Sequence, residues 1–300
     1  MTTPTRSDEP TVAIVTVSYN SGRYLSAFLA STESASAEPT RLVVADNASN
    51  DVDAARTTTE GAGGRFVEVG ANRGYGTAVN RAVTQLPSSV HHVLISNPDV
   101  VLAPGVVDVL LDTLRSGDDI AAVGPAIVEA DGEPYPSARQ IPSLRTGLGH
   151  ALFANLWPTN PWSRSYRREG EHEARRDTGW LSGACLLVRR DVFDELGGFD
   201  ERYFMYFEDV DLGYRIGLSG RRSVYEPAAT VVHVGAHSTR ESSDAMRREH
   251  HRSAYRFLAS KYRAWYLWPV RAALRVALEA RFRLGGLPRR ASTPNPTGKR

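Results

Sequence analysis

Short β-branched runs, each closed by polar residues and followed by a helical stretch, constrain this 300-residue chain more than any other feature. Thr11 to Ser18 (TVAIVTVS) is too short and too β-branched for a helix, and it ends at Tyr19-Asn20-Ser21-Gly22. Arg41 to Ala45, Arg65 to Val69, His92 to Ser96 and Ile120 to Val123 repeat that pattern. Between them, Gly22 to Ser34 places Tyr24, Leu25, Phe28 and Leu29 on one helical face. Asn72 to Leu86 reads as a loop running into a helix, and Val106 to Leu114 as a helix. Strands alternating with helices predict an α/β fold with a doubly wound, mostly parallel sheet. Ligands in such sheets sit beyond the carboxyl ends of the strands. Three successive ends carry Tyr19-Asn20, Asp46-Asn47 and Asn97-Pro98-Asp99.

The second half is less regular. From Asp131 to Asp177, five prolines, Trp157, Trp162 and many arginines interrupt any period. The stretch reads as a long loop or a loosely helical insert; loops this long are usually functional or disordered, and its role is left open. Trp180 to Val188 (WLSGACLLV) predicts a buried strand, Asp191 to Leu196 a short helix closed by Gly197-Gly198. Phe204 to Leu218 predicts a helix with an acidic start, Ser223 to Val234 a strand interrupted by Pro227, and Met246 to Leu284 a helix. Residues 1–10 read as a disordered lead and residues 288–300 as a disordered tail.

Composition excludes whole classes. With 41% hydrophobic and 23% charged residues the chain is an ordinary globular protein, not collagen-like or mucin-like. Its single cysteine, Cys185, cannot form an internal disulfide, which fits a reducing compartment. Met1 to Pro10 has no apolar core of a secretory signal, and no run of 18 apolar residues predicts a membrane span. The expected location is the cytoplasm or the inner face of the plasma membrane. Net charge is +2, but Arg247 to Arg300 holds 14 basic and 2 acidic residues, leaving 22 basic and 32 acidic for the rest. A basic extension on an acidic body seeks an anionic surface, lipid or nucleic acid.

Several clusters could carry chemistry. Asn72-Arg73-Gly74-Tyr75-Gly76-Thr77-Ala78-Val79-Asn80 departs from G-x-G-x-x-G at Val79 and follows the third strand rather than the first, so it is no dinucleotide fingerprint. Its glycines suit either a close backbone approach to a phosphate at a helix start or a plain helix-entry loop. Asn97-Pro98-Asp99 is either a turn or the carboxylate seat of a divalent cation, since Mg²⁺ takes only one or two carboxylates. Glu208, Asp209 and Asp211 follow an aromatic run, Tyr203 to Phe207. Carboxylates beside aromatic walls have raised pKa values and can act as general bases, although an acidic helix start stabilised by the dipole is the plainer reading. Arg215 stands four residues after Asp211, at ion-pairing distance on a helix. His233 and His237 are not on a helix and have no Glu between them, which argues against a zinc-protease pair.

In order and spacing these motifs resemble the family-2 inverting glycosyltransferases of GT-A fold, of the bacterial rhamnosyltransferase type. The resemblance covers residues 11–240. It rests on Val17-Ser18-Tyr19-Asn20, Asp46-Asn47-Ala48-Ser49, Asn72 to Gly76 with Ala78 and Asn80, and Asn97-Pro98-Asp99 in place of D-x-D. Trp180-Leu181-Ser182-Gly183-Ala184, Gly197-Gly198-Phe199-Asp200-Glu201 and Phe207-Glu208-Asp209-Val210-Asp211-Leu212 with Arg215 complete it. It implies a GT-A type, Rossmann-like domain with a nucleotide-sugar half (11–125) and an acceptor half (126–240), followed by a basic aromatic helical extension (241–287).

The resemblance also implies roles. Ser18, Tyr19, Asn20, Asp46, Asn72, Gly74, Gly76, Asn80 and Asn97 form the donor-nucleotide site. Asp99 and His233 hold Mg²⁺ or Mn²⁺. Trp180, Ser182, Gly183 and Glu208 line the acceptor side, Asp209 is the catalytic base, and Asp211 with Arg215 supports it. The implied donor is dTDP-rhamnose and the implied acceptor a polyprenyl-diphosphate-linked N-acetylglucosamine in cell-wall assembly. Mannose, galactofuranose and N-acetylglucosamine donors stay open, as does a homo-oligomer. Two lysines against 34 arginines suit a GC-rich, actinobacterial genome. Trp265, Tyr266 and Trp268 among arginines read either as a peripheral membrane anchor or as a helix packed on the domain. A nucleic-acid-binding protein using the basic tail is the competing class, but it leaves the strand-tip motifs unexplained.

Overall fold

Strand β1 (Val12–Ser18) is buried along its whole length, hydrogen-bonded in parallel to β2 (Thr40–Asp46) on one side and to β4 (His92–Ser96) on the other. β3 (Arg65–Glu68) continues the parallel set beyond β2. Such a strand needs apolar side chains on both faces, which is why its sequence is a continuous rather than an alternating run. Val12 and Ile14 enter one core layer with Leu25, Phe28 and Leu94, while Ala13 and Val15 enter the other with Val43, Val79 and Ile95. Helices α1 (Gly22–Thr32), α2 (Val52–Gly61) and α3 (Tyr75–Val83) are the crossovers. This computed structural model describes residues 9–143, 173–235 and 244–285, without the side chains of residues 281–285. Most of the lead, residues 144–172 with Trp157 and Trp162, His237 and the tail lie outside the described residues.

The chain from Val100 onward turns the sheet around. It contains β5 (Val100–Leu102), α4 (Val106–Arg115), β6 (Ile120–Glu129), β7 (Pro134–Tyr135), β8 (Ala138–Arg139), β9 (Arg176–Thr178), β10 (Trp180–Leu181) and β11 (Cys185–Arg189). Then come α5 (Arg190–Glu195), α6 (Glu208–Leu218) and β12 (Arg222–His233). The main path runs β3-β2-β1-β4-β11-β6-β12-β5, with β11 antiparallel to both β4 and β6 and β12 parallel to β6. The expected doubly wound, mostly parallel sheet is therefore present, with the antiparallel β11 inserted at its centre.

Helix α2 and strand β5 were not foreseen, β7, β8 and β9 are strands within the stretch read as irregular, and four predicted elements change. The single strand predicted over Trp180 to Val188 is split at Ser182–Ala184: β10 leaves the main sheet to pair with β8, and only β11 stays in it. The break is held by backbone bonds, Ser182 N–H to Ser137 O (2.7 Å) and Asn97 N–H to Ala184 O (2.9 Å). The helix predicted from Phe204 starts only at Glu208, because Tyr206 and Phe207 have φ of +66° and +71° and reverse the chain. β12 runs through Pro227 because a bulge between Glu226 and Thr230 absorbs the missing donor. The predicted C-terminal helix is two helices, α7 (Asp244–Lys261) and α8 (Trp268–Gly285). Pro269 is accommodated only in a first helical turn, so a new helix has to begin there.

The chain divides into two compact units, Met1–Glu241 and Ser242–Arg300. In the second, the Arg271 guanidinium donates to the carbonyls of Tyr262 and Ala264 (2.9 Å each) and fixes the connection between α7 and α8. Trp265, Tyr266 and Trp268, in and just after that connection, are 82%, 64% and 63% exposed. Among the described residues no helix is long and apolar enough to cross a membrane.

Candidate active site

The ends of the parallel strands are tied to one another by side chains. Asn20, at φ +52°, is a residue type that tolerates the left-handed region. Its N–H donates to Ser49 Oγ (2.9 Å), and its Oδ1 accepts from Asn50 N–H (2.8 Å). Asp46 is buried and accepts from Ser49 through both oxygens, the backbone N–H at 2.9 Å and the hydroxyl. Asn47 donates to Asn72 Oδ1 (2.9 Å) and accepts from Arg73 N–H (3.0 Å). Ser18 is buried, its carbonyl taken by Asn47 N–H (2.8 Å) and its hydroxyl without a partner among the described residues. Tyr19 beside it is half exposed. Ser18, Tyr19, Asn20, Asp46 and Asn72 therefore gather on one face. Asn47 and Ser49, quoted in the motifs but given no role, hold that face together.

The glycines of the Asn72–Asn80 segment are required by the packing of the chain on itself. Gly74 has φ +96°, and a Cβ there would overlap the Phe204 carbonyl; a Cβ on Gly76 would lie 2.8 Å from Phe199 Cβ. What approaches this backbone closely is the chain itself. Asn80, expected in the donor site, commits its amide to the fold: Nδ2 donates to Phe199 O (2.8 Å) and Oδ1 accepts from Phe199 N–H (2.9 Å). That two-point clamp on Phe199 is the role the geometry gives it.

Asp99 and His233 come together from strands far apart in sequence. Asp99 Oδ1 lies 3.1 Å from His233 Nε2, and Asp99 O accepts from Val234 N–H (2.9 Å). A Cβ on Gly235 would overlap Asp99 Oδ2, so only glycine leaves room for this carboxylate. Asn97 sits just before it at the β4 end. The pair fits a divalent cation: two neighbouring ligands of an octahedral ion with bonds of about 2.1 Å stand about 3.0 Å apart. Among the described residues no group of three or more His, Cys, Asp or Glu could hold a metal. A cation here would keep positions for phosphate and water, as Mg²⁺ and Mn²⁺ do.

The third feature is the start of α6. Asp209 Oδ2 accepts from Gly183 N–H (3.0 Å) and its Oδ1 from Val210 N–H (2.8 Å). Gly183 lies in the break between β10 and β11, and its carbonyl accepts from the Tyr75 hydroxyl (2.8 Å). The broken strand thus offers the carboxylate a free backbone donor that an intact strand would have used in the sheet. Trp180 packs so tightly on α6 that a Cβ on Gly213 would lie 2.6 Å from Trp180 Cβ. Its indole donates to Gln140 O (3.2 Å), and the Arg139 guanidinium lies 6.0 Å from the ring centre. Ser182 Oγ accepts from Ala184 N–H (3.3 Å) within the same break. Asp211 and Arg215 pair at 2.6 Å, and Arg215 also donates to Leu196 O (2.8 Å) and Gly198 O (2.9 Å), bracing the glycine turn.

Burial raises the pKa of Asp209, opposed by the N–H groups of Gly183 and Val210. Glu208 is almost wholly buried, and burial plus the Asp209 charge push it up to about 8. Burial and these same carboxylates also raise Tyr75 well above the usual phenol range. Tyr75 and Arg139 were missed as site residues. Tyr75 stood inside a quoted motif, but nothing in its spacing signals a bond to a residue 108 positions away.

Groups suited to a diphosphate and its cation at the strand ends, with a basic carboxylate on the start of a buried helix, define a class: the sugar-nucleotide transferases of GT-A fold. The family described as "Glycosyltransferase like family 2" matches residues 10–256, and this chain belongs to it. A relative 45% identical over 280 residues, 90% of this chain and 91% of its own, is the N-acetylglucosaminyl-diphospho-decaprenol L-rhamnosyltransferase of Mycobacterium tuberculosis. Rhamnosyltransferase WbbL of Escherichia coli is 42% identical over 82 residues, 27% of this chain and 31% of its own. In fold, the chain resembles the mannosyltransferase PcManGT of Pyrobaculum calidifontis, solved with GDP-Man and Mn²⁺. Their TM-score is 0.57 at 19% identity, over 92% of this chain and 70% of that one. The chain is thus a hexosyltransferase of family 2, and the nucleic-acid reading is not favoured.

Proposed function

We propose that this enzyme transfers L-rhamnose from dTDP-rhamnose, with inversion, to a hydroxyl of a polyprenyl-diphosphate-linked N-acetylglucosamine. The observation that carries this is the identity to the mycobacterial rhamnosyltransferase along nearly the whole of both chains. In this reading the stitched face formed by Ser18, Tyr19, Asn20, Asp46 and Asn72 receives the donor nucleotide. Asp99 and His233 hold the divalent ion, which when bound neutralises charge on the leaving diphosphate. Trp180, Ser182 and Gly183 face the acceptor. Asp209 takes the proton of the attacking hydroxyl as that oxygen displaces the nucleoside diphosphate from the anomeric carbon.

The test is nucleoside-diphosphate release by the full chain with a lipid-diphosphate-N-acetylglucosamine analogue and each common sugar nucleotide. Turnover with dTDP-rhamnose is expected; turnover confined to a mannose, galactofuranose or N-acetylglucosamine donor overturns the rhamnose assignment. Chelation with EDTA abolishes release, Mg²⁺ or Mn²⁺ restores it, and Asp99→Ala lowers kcat/KM by about 10²-fold or more. Full activity in EDTA would sink the metal role.

The acceptor's lipid places the reaction at a membrane surface, and the second unit suits it. Exposed Trp265, Tyr266 and Trp268 stand in a strongly basic segment, and each arginine near an anionic bilayer contributes about 1 kcal/mol. In flotation with vesicles of anionic phospholipid the full chain is expected to bind, and the triple substitution of these aromatics by alanine to release it. Equal binding to purely zwitterionic vesicles, insensitive to salt, would contradict an electrostatic, peripheral attachment.

A further inference from the structure

The two carboxyl groups that open α6 are adjacent in sequence but differently served. Asp209 has a backbone N–H on each oxygen, from Gly183 on Oδ2 and from Val210 on Oδ1, and Arg139 of β8 is close enough to favour its charge. Glu208 is buried more deeply, and among the described residues its Oε2 has no hydrogen-bond partner. The other titratable groups facing the pair are Tyr75 of α3 and Tyr206, which face Glu208, with Tyr75 and Tyr135 of β7 facing Asp209. None of these tyrosines supplies positive charge. A buried carboxylate with one oxygen unserved and only its own backbone N–H in support is costly, and two neighbouring buried carboxylates do not both ionise. We propose that Glu208 keeps its proton in the working enzyme, so that the pair carries one negative charge and that charge resides on Asp209.

This inference rests on the reading of Asp209 as the base and adds a positioning role for Glu208, in place of direct acceptor binding. A neutral Glu208 leaves the base ionised without a second negative charge beside two diphosphate-bearing substrates. Environments that drive two carboxyls apart in this way assign one as base and the other as proton holder.

Infrared spectroscopy of the full chain locates the proton without any turnover. The carbonyl-stretch band of a protonated, buried carboxyl is expected at pH 7 in the wild type and in Asp209→Asn, and is expected to vanish in Glu208→Gln. A band that survives Glu208→Gln and vanishes in Asp209→Asn, or no band at all, overturns the proposal.

Thermal melts give a second readout with a fixed sign. A carboxyl raised on folding stabilises the native state below its unfolded value near 4.5, and that contribution is lost as pH rises toward about 8. Tm of Glu208→Gln minus Tm of the wild type therefore increases between pH 5 and 8; a constant difference counts against the idea. In transfer assays the fall of wild-type kcat/KM above about pH 8 disappears in Glu208→Gln, whereas the acid limb set by Asp209 stays. If the chain transfers no sugar, the infrared and melting arms still decide where the proton is.

Discussion

Replacing Asp209 with asparagine is expected to lower kcat by about 10²–10⁴-fold while leaving the fold and nucleotide binding in place. Asparagine keeps the shape and one carbonyl oxygen, so one of the Gly183 and Val210 N–H groups retains an acceptor and the stability lost is that of the other bond, about 1–3 kcal/mol. What is lost is the ability to take a proton. The substitution separates base catalysis from positioning, because the hydroxyl, the donor and the cation all keep their seats. Calorimetric titration with the nucleoside diphosphate should give an unchanged Kd beside the collapsed kcat. Turnover within a few-fold of the wild type would show that the proton leaves by another route and would remove Asp209 from the mechanism.

Gly74→Ala should be the most damaging small substitution in the parallel half of the sheet domain. The backbone at Gly74 (φ +96°, ψ +164°) lies in a region open essentially to glycine alone, and forcing another residue into it costs on the order of 1–3 kcal/mol. The new Cβ would also overlap the Phe204 carbonyl, which accepts from Tyr75 N–H at 3.1 Å. Overpacking against backbone adds about 1–3 kcal/mol, because a main-chain carbonyl cannot swing aside as a side chain would. A loss of about 3 kcal/mol corresponds to a Tm drop on the order of 6–12 °C for a chain of this size. Gly22→Ala is the control: φ is +41° but nothing lies within 4 Å, so only the conformational part remains. Equal losses in the two variants would mean that the contact with Phe204 contributes nothing. Phe204 opens the segment that leads to Glu208 and Asp209, so activity should fall in Gly74→Ala even at temperatures where the protein stays folded.

The parallel half was legible from sequence because its signals are local. A buried strand such as Thr11 to Ser18 announces itself by length and β-branching, and the turn that follows by Asn and Gly. The Asp211–Arg215 pair was legible for the same reason, since a helix alone brings such residues together. Local signals failed where the chain bends for the sake of a distant partner. Trp180 to Val188 is apolar enough to be one strand, and its break is set by distant partners: β8, Ser137 and Asp209, 26 residues past Gly183. Phe204 to Phe207 has a helical composition, yet two left-handed aromatics precede the helix. The Asp99–His233 contact spans 134 residues and follows from sheet order, which no periodicity encodes. The bonds of Asn80 to Phe199, 119 residues away, were equally invisible in the motif that holds it.

The side-chain bonds linking Asn20 to Ser49 and Asn47 to Asn72 tie loops from separate strand–helix units into one piece. Whatever docks there meets a surface whose order was secured when the protein folded, so little freedom remains to be surrendered on contact. The same coupling restrains drift: a change in one loop alters the support of its neighbours, so viable variants on this face should arise as correlated sets rather than singly.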